Sequence, residues 1–203
     1  QPARGQASGY GISAPGVWLT LGPLDARVEY RHIRDQFLPE YFDGLYDHSR
    51  VVADLESGSV VTRDATLDSL DGQSMNGVFG QLGIGLGNFA RLNAQYQLLH
   101  GDENNQRLYG SASLDEGIMQ FVPKLGRLEA FYNKNNIGMY GDDFFDPTVD
   151  MMYGYNVGFE MGGGVMILWS SRWIYTPEGD YLSASKPKVK SQKQVTFETV
   201  ISF

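Results

Sequence analysis

The stretch Leu24-Asp25-Ala26-Arg27-Val28-Glu29-Tyr30-Arg31 decides the fold, because apolar or aromatic side chains alternate in it with charged ones. In a β-strand successive side chains point to opposite faces, so a period of two gives one apolar and one polar face. The stretch therefore predicts a strand that separates two different environments.

The same alternation returns along most of the chain. It is clear in residues 90–98 and 153–159, and it is present with interruptions in residues 127–133 and 165–175. We predict an all-β chain in which one strand, near Gly117, carries a bulge. The nine expected strands lie at about residues 16–21, 24–34, 76–86, 89–100, 107–122, 127–137, 151–161, 164–176 and 192–203.

Glycine-containing turns separate these strands. Leu21-Gly22, Leu86-Gly87 and Leu125-Gly126 each end one strand shortly before the next begins, and Gly162-Gly163-Gly164 supplies a fourth turn with freedom for positive φ. Longer polar connections lie between the turns, at residues 37–74, 101–106, 138–150 and 177–190. Tight hairpins that alternate with long loops predict an antiparallel up-and-down order, with all short turns at one end of the sheet.

Composition excludes several classes of protein. The 203 residues include 16 Lys and Arg against 24 Asp and Glu, a net charge of −8, which argues against a nucleic-acid partner. The chain has no cysteine, so a disulfide scaffold, a thiolate zinc site and a cysteine nucleophile are excluded. The acidic loops lack the spacing of a calcium-binding loop. We predict no metal and no cofactor.

Two environments produce this alternation. In a soluble barrel or sandwich the apolar face points inward, whereas in a membrane barrel it meets lipid and the polar face lines the interior. Aromatic residues near the strand ends favour lipid, because their rings settle at the membrane interface. The expected interface residues are Tyr30, Tyr96, Tyr132, Tyr155, Trp173, Tyr175 and Phe203.

The last predicted strand carries the most specific feature of the chain. Phe203 is aromatic, and the residues at alternate places before it include the apolar Ile201, Phe197 and Val195, with Thr199 departing from the pattern. In this strand, and in its architecture as a whole, the chain resembles bacterial outer-membrane β-barrel proteins. The closing strand of that family ends in an aromatic residue preceded by apolar residues at every second place.

The resemblance has several implications. It implies one transmembrane β-barrel domain over residues 1–203 with about 8–10 strands, or the C-terminal part of a larger barrel, in the bacterial outer membrane. The implied partners are membrane lipid, lipopolysaccharide, the barrel-assembly machinery and other subunits of an outer-membrane assembly. The signal recognised by the assembly machinery would be Val195, Phe197, Ile201 and Phe203.

The polar face is expected to line the barrel interior. A row of both charge signs could line a porin-like passive pore for small polar solutes. Alternatively, Arg–carboxylate pairs could fill a barrel of this size and leave a membrane anchor for a larger assembly. The predicted lumen-lining residues are Asp25, Arg27, Glu29, Arg31, Arg91, Gln95, Arg127 and Glu129.

Nine strands are an odd number, whereas closed single-chain barrels of bacteria have an even one. A tenth strand is expected in residues 8–14, in part of residues 51–62, or outside this chain. Membership in a larger barrel would also account for the odd number.

Two alternatives belong to other functional classes. The chain has no G-x-S-x-G or H-E-x-x-H motif, and no catalytic residue is predicted. A hydrolase at the rim of an outer-membrane barrel would have to use one of the three histidines, His32, His48 or His100. A soluble β-barrel that binds an apolar ligand would instead have an interior lined by Leu24, Val28, Leu92 and Tyr96.

Overall fold

The computed structural model describes residues 9–35, 37, 51–54, 59–62, 73–101, 105–139, 141–178 and 188–201, with the backbone alone for 51–54 and 59–62. The strands in this part of the chain are β1 (Gly9–Leu21), β2 (Leu24–Asp35), β3 (Val51–Asp54), β4 (Ser59–Thr62), β5 (Ser74–Leu86), β6 (Ala90–Gly101), β7 (Asn105–Leu114), β8 (Leu125–Lys134), β9 (Met151–Gly162), β10 (Val165–Glu178) and β11 (Lys188–Ile201). The helix of the described residues, α1, spans Glu116–Met119.

Within the described residues, nine of the strands form one sheet in the order β1-β2-β5-β6-β7-β8-β9-β10-β11, and β3 pairs with β4 in a separate two-stranded sheet. Every neighbouring pair is antiparallel. The prediction of an all-β, antiparallel, up-and-down chain is therefore confirmed.

The sheet is not closed into a barrel. In the described part of the chain, β1 pairs with β2 alone and β11 with β10 alone, so each has one free edge. Within the described residues, neither segment expected to hold a tenth strand adds one to this sheet. Residues 9–14 belong to β1, and residues 51–54 and 59–62 pair with each other as β3 and β4.

One predicted strand and one predicted turn were wrong. The strand expected at 107–122 ends at Leu114, and a helical turn follows in which the amides of Ile118 and Met119 both donate to the carbonyl of Asp115. Gly126 lies inside β8, next to a register shift, and the positive φ of 65° belongs to Lys124. The apolar residues Ile118 and Met119 lie in this helical turn and not in a strand, which is why the hydrophobic pattern did not locate the end of β7.

The other three turns have the expected backbone. Gly22 and Gly87 have φ values of 57° and 60°, and the triplet at 162–164 has φ values of 89°, 64° and 75°. Glycine adopts this region without the steric cost that a Cβ atom brings. These turns and α1 lie at one end of the sheet, which we call the short-turn end. The strand ends from which the connections after β2, β6, β8 and β10 leave form the opposite end, which we call the long-loop end, although the connection after β6 has only three residues.

Glycines allow two neighbouring strands to approach closely. A Cβ atom at Gly77 on β5 would lie 1.9 Å from the backbone oxygen of Leu98 on β6, and one at Gly101 would lie 2.0 Å from the oxygen of Ser74. No side chain fits at such distances, so both positions require glycine. By contrast, a Cβ atom at Gly80 meets no heavy atom within 4 Å.

The connection after β8 folds back over the end of its own strand. Lys134 is fully buried, and its Nζ donates to the carbonyls of Asp143 and Asp146 and lies 2.7 Å from Oδ2 of Asp142. The Tyr132 hydroxyl donates to the carbonyl of Phe144. One buried ammonium group therefore holds residues 141–146 against β8.

Candidate functional site

The register of the sheet defines two faces. We call the face that carries Asp25 the polar face and the one that carries Val28 the apolar face. Paired residues of antiparallel strands share a face, so the pairing can be followed from β2 across the sheet. It places all eight predicted lumen-lining residues on the polar face: Asp25, Arg27, Glu29, Arg31, Arg91, Gln95, Arg127 and Glu129.

In the central strands most of the buried side chains lie on the polar face. Glu29 is 6% exposed and Gln97 is 5% exposed, whereas the neighbouring Val28 is 57% exposed. Apolar residues of the polar face are buried with them: Ile33, Met75, Phe79, Leu99, Met152, Leu168 and Ile174. The polar face is thus the more buried side of the central strands, which we call the interior side, and it carries both polar and apolar side chains.

Hydrogen bonds join the three strands β2, β6 and β7 on the polar face toward the long-loop end. Glu29 accepts from both Arg27 and Arg31, and Arg31 reaches over β5 to donate to Oε1 of Gln97 at 2.5 Å. Gln97 then donates to Oδ1 of Asn105 on β7 at 3.0 Å. The Arg31 guanidinium also lies 3.8 Å from the centroid of the Phe79 ring, in a cation–π arrangement.

Gly77 lies between the strands that this interior network joins and adds no side chain to it. Arg31 is paired in register with Gly77, and Gly77 is paired with Leu99. Because Gly77 adds no side chain to the polar face, the space above β5 is left to the guanidinium and the Gln97 amide. A second pair extends the network, since Nε of Arg107 on β7 donates to Oδ1 of Asn133 on β8 at 3.2 Å.

A smaller ion pair lies toward the short-turn end. Nη2 of Arg127 lies 2.7 Å from Oε2 of Glu129, and the same oxygen accepts from the amide of Asn156 at 3.3 Å. The Arg127 side chain is about half exposed, so this pair contributes little to stability.

A recess of about 370 Å³ lies near the short-turn end of β1, β2, β5 and β6. Its lining includes Trp18, Asp25, Arg27, Gln81, Arg91 and Asn93. The recess therefore presents both charge signs, amides and one indole ring, which suits water and small polar solutes better than an apolar ligand.

The apolar face is exposed along much of the sheet. Val17 is 70% exposed, and Leu82 and Leu92 are about 40% exposed. Other exposed apolar or aromatic side chains of this face are Tyr10, Ile12, Leu19, Leu21, Tyr30, Val78 and Phe159. Of the four residues that a soluble barrel would place inside, Val28 and Leu92 are exposed, and Leu24 and Tyr96 are half-buried.

Aromatic rings form a continuous band on the apolar face of β9, β10 and β11. Tyr153 stacks on Trp173 with centroids 5.3 Å apart, Tyr155 contacts Trp169 at 5.9 Å, and Trp169 stacks on Phe197 at 6.3 Å. We call these five residues the aromatic band. Lys193 lies 4.9 Å above the Trp173 ring, at the end toward the long loops.

The predicted interface aromatics share this face. Tyr30, Tyr96, Tyr132, Tyr155, Trp173 and Tyr175 are all on it by register. The loop after β8 adds two more rings, because Phe144 lies 6.1 Å from Tyr96 and Phe145 lies 5.8 Å from Tyr132. Phe203 lies outside the described residues.

Three residues of the predicted assembly signal are on the same apolar face of β11. Val195, Phe197 and Ile201 are 47%, 70% and 54% exposed. The fourth, Phe203, is outside the described residues, as noted above.

The histidines do not form a site with one another in the described residues. His32 is on the apolar face, paired in register with Asn76, whose side-chain oxygen contacts its Nδ1, and its ring lies 6.0 Å from that of Tyr10. His100 lies on the same face, near the end of β6. His48 is outside the described residues. Neither described histidine lines the recess.

Some site residues were not predicted. Arg107 and Asn133 join the interior network, but alternation around Arg107 is weak, because small residues follow it in β7. Trp169 lies at the centre of the aromatic band and could have been found, since it alternates with Ile167 and Trp173. Nothing in the sequence indicated that Lys134 is buried, because the groups that bind its ammonium group belong to a loop.

Among the described residues, no helix has the length and apolar character required to cross a membrane. No group of three or more His, Asp or Glu side chains in the same part of the chain is placed to hold a metal ion.

Comparison with known proteins gave no match: no protein-family model matches the chain, and no curated protein and no solved structure is significantly similar to it. The function proposed below therefore rests on the fold and the side chains of this chain.

Proposed function

We propose that this chain forms the membrane-spanning sheet of a β-barrel in the bacterial outer membrane. Its apolar face contacts lipid, and its polar face lines the interior of the barrel. Its role is passive and non-catalytic, and it serves as a membrane anchor for a larger assembly. Membrane lipid, lipopolysaccharide and the barrel-assembly machinery are the partners of such a protein.

One observation carries this proposal: in β2 a charged side chain is buried and its apolar neighbours are exposed, which is the reverse of the arrangement in a water-soluble protein. Glu29 is buried, while Val28 and Tyr30 on either side of it are exposed. A soluble protein rarely exposes a large continuous apolar surface. In lipid the same arrangement is favourable, because apolar side chains face acyl chains and the polar groups bond to one another.

Strand length supports the proposal. The nine strands of the large sheet in the described residues contain between 10 and 14 residues each. A tilted membrane-spanning strand needs about 9–11 residues. Each strand is therefore long enough to cross the hydrocarbon layer.

The aromatic band supports the proposal independently. Tyr and Trp rings concentrate at the two interfaces of membrane barrels. Here Tyr153, Tyr155 and Trp173 lie on the lipid-facing side. The Lys193 ammonium group lies over the Trp173 ring, in the half of the sheet toward the long-loop end, where it can reach headgroups.

The filled interior favours an anchor over an open pore. The network of Glu29, Arg31, Gln97 and Phe79 occupies the polar face at the level of the long-loop half, and Glu29, Gln97 and Phe79 are at most 6% exposed. Side chains that faced a wide aqueous channel would be more exposed. A narrow pore for small polar solutes is the second candidate, and the recess beside Arg27 and Arg91 favours it.

Membrane residence is tested by fractionation. We expect the chain to remain in outer membranes after washing at alkaline pH and to need detergent for extraction. A monodisperse protein in buffer without detergent would contradict the proposal and would favour the soluble alternative. In that case Val28 and Leu92 would have to pack inside the protein.

Conductance of the purified protein in planar bilayers decides between anchor and pore. An anchor gives no discrete current steps in the wild-type chain. The double variant Arg31→Ala, Gln97→Ala removes the two long side chains that fill the interior. We expect this variant to let ions pass and to give discrete current steps. Steps from the wild-type protein would show that a pore is already present.

A further inference from the structure

The two edge strands of the large sheet run in the same direction. β1 ends at Leu21, where the short turn to β2 begins. β11 ends beside Val165, which pairs with Ile201 and directly follows the turn at 162–164. Both strands therefore run from the long-loop end to the short-turn end, as an odd number of strands in an up-and-down sheet requires.

Both edge strands have free backbone groups on one side. In the described part of the chain, β1 has no hydrogen-bonded neighbour beyond β2, and β11 has none beyond β10. About half of the residues in an edge strand direct their N–H and C=O groups away from the sheet. Inside a bilayer such groups must be paired, because no water is present to bond them.

Direct pairing of β1 with β11 would close the barrel through a parallel pair. A second copy of this chain does not avoid that result. Its β1 would run in the same direction as the β11 it joins, because both copies are inserted with the same orientation. Every other pair in the described sheet is antiparallel.

We propose that an odd number of further strands, of which one is sufficient, lies between β11 and β1 and pairs antiparallel with both. This inference rests on the proposed function, since only a membrane requires both edges to be paired. The partner is an amphipathic strand that lies outside the described sheet. Its outward side chains are apolar, because it continues the surface formed by Val17 and Phe197.

The polar faces of the two edges indicate the inward side chains of this partner strand. On β11, Lys188 and Lys190 lie toward the long-loop end, and Glu198 lies toward the short-turn end. Opposite charges on neighbouring strands are favourable, and like charges are not. The partner therefore carries a basic inward residue near its start at the short-turn end and an acidic one near its finish.

The other edge leaves room for these side chains. The inward row of β1 contains Gly9, Gly11, Ser13 and Gly16 before it reaches Trp18. Phe37 already packs over Gly11. Large polar side chains of the partner fit over the small residues at 13 and 16, where β1 supplies little volume of its own.

Disulfide cross-linking in isolated outer membranes tests the placement. The chain has no cysteine, so introduced pairs are unambiguous. Val17→Cys is combined in turn with Val195→Cys, Phe197→Cys, Thr199→Cys and Ile201→Cys, which covers four registers of the outward row. We expect none of these pairs to form a disulfide within one chain or between two chains.

The matched control is Val17→Cys with Val28→Cys, two exposed residues that are partners in the observed β1–β2 register. This pair should cross-link in the same membranes. A disulfide from β1 to β11 within one chain would overturn the proposal in favour of parallel closure. A disulfide-linked dimer would overturn it in favour of a second copy.

The cross-linking experiment is expected to give no β1–β11 disulfide, which is a negative result. Hydrogen exchange of the backbone amides provides a positive one. In the same membranes we expect the amides of β1 and β11 to be protected as strongly as those of the central strand β6. Edge amides that exchange fast in a membrane-embedded protein would contradict the proposal. If the protein is not in the membrane fraction at all, it is the proposed function that fails.

Discussion

At the scale of single residues, the molecule is defined by the contrast between positions 28 and 29. The Glu29 carboxylate is shared by two guanidinium groups and is almost fully buried, and the Val28 side chain beside it contacts little of the protein. The two residues are one step apart on a pleated strand, so they face opposite sides. The side on which a residue lies should therefore decide what a substitution costs.

Val28→Arg tests this expectation. A guanidinium group on the lipid side near the middle of the bilayer destabilises a membrane barrel by about 2–4 kcal/mol. We expect a loss of that size in the free energy of unfolding, measured by guanidinium titration in lipid vesicles.

Gln95→Arg is the matched control, because it adds the same group on the polar face. It should change the free energy of unfolding by less than about 1 kcal/mol, a size typical of a substitution away from buried features. Equal losses from both variants would contradict the assignment of the two faces.

Not every polar residue follows the rule of faces. Lys134 is on the apolar face by register, and yet it is completely buried, because residues 141–146 cover it and bind its ammonium group. Alternation describes which side of a strand a residue is on. It carries no information about a loop that returns to cover that side.

Lys134→Met should release this loop. The substitution removes the partner of the largely buried Asp142 carboxylate and of two backbone carbonyls, and breaking a buried pair costs roughly 3–5 kcal/mol. We expect faster hydrogen exchange in residues 141–150, with the strands on the far side of the sheet unchanged.

Lys193→Met, which removes an exposed lysine from the same apolar face, is the control and should leave exchange in the loop unchanged. Adding Asp142→Leu to Lys134→Met should restore part of the loss, since neither charge then remains buried alone. Unchanged protection of the loop in Lys134→Met would show that Lys134 does not hold it.

At the scale of elements, the pairing of β5 with β6 depends on Gly77. A Cβ atom there would overlap the carbonyl of Leu98. Gly77→Ala should therefore force the two strands apart and disturb the Arg31–Gln97 bond above them, with a cost of at least about 1–3 kcal/mol by analogy with overpacked cores.

Gly80→Ala on the same strand is the matched control, because its new methyl group meets nothing within 4 Å. We expect the control to fold with normal yield and Gly77→Ala to fold with a reduced yield, measured by circular dichroism after refolding into detergent micelles. Similar yields for both variants would contradict the close approach of β5 and β6.

The strands could be predicted from sequence where polar and apolar residues alternate within the strand itself. Strands β2, β6 and β9 were located within a few residues, because polar and apolar residues alternate through most of each, at residues 24–31, 90–98 and 153–159. The end of β7 was not, because the residues beyond it include the apolar pairs Ile118-Met119 and Phe121-Val122, which do not alternate with polar residues. Membership of the interior network depends on register between distant strands, which is why Arg107 and Asn133 were missed.

At the scale of the whole molecule, the alternation of short turns and long loops predicted the order of the strands. It did not predict whether the first and last strands of the sheet pair to close a barrel. Whether two edges meet depends on the number of strands and on what lies beyond them. In the described residues the sheet has nine strands and two free edges. The apolar face extends to both edges through Val17 and Phe197, so the surface in contact with lipid continues to the place where a further strand would join.

The central claim is that hydrocarbon lies against the apolar face and the polar groups face inward. A nitroxide scan of residues 24–31 in lipid bilayers tests it most directly, with one introduced cysteine per variant in a chain that has none. Collision with oxygen, which concentrates in lipid, should be high at positions 24, 26, 28 and 30 and low at the four positions between them. High collision at positions 25, 27, 29 and 31, or contact with a water-soluble nickel complex at 24, 26, 28 and 30, would contradict the account.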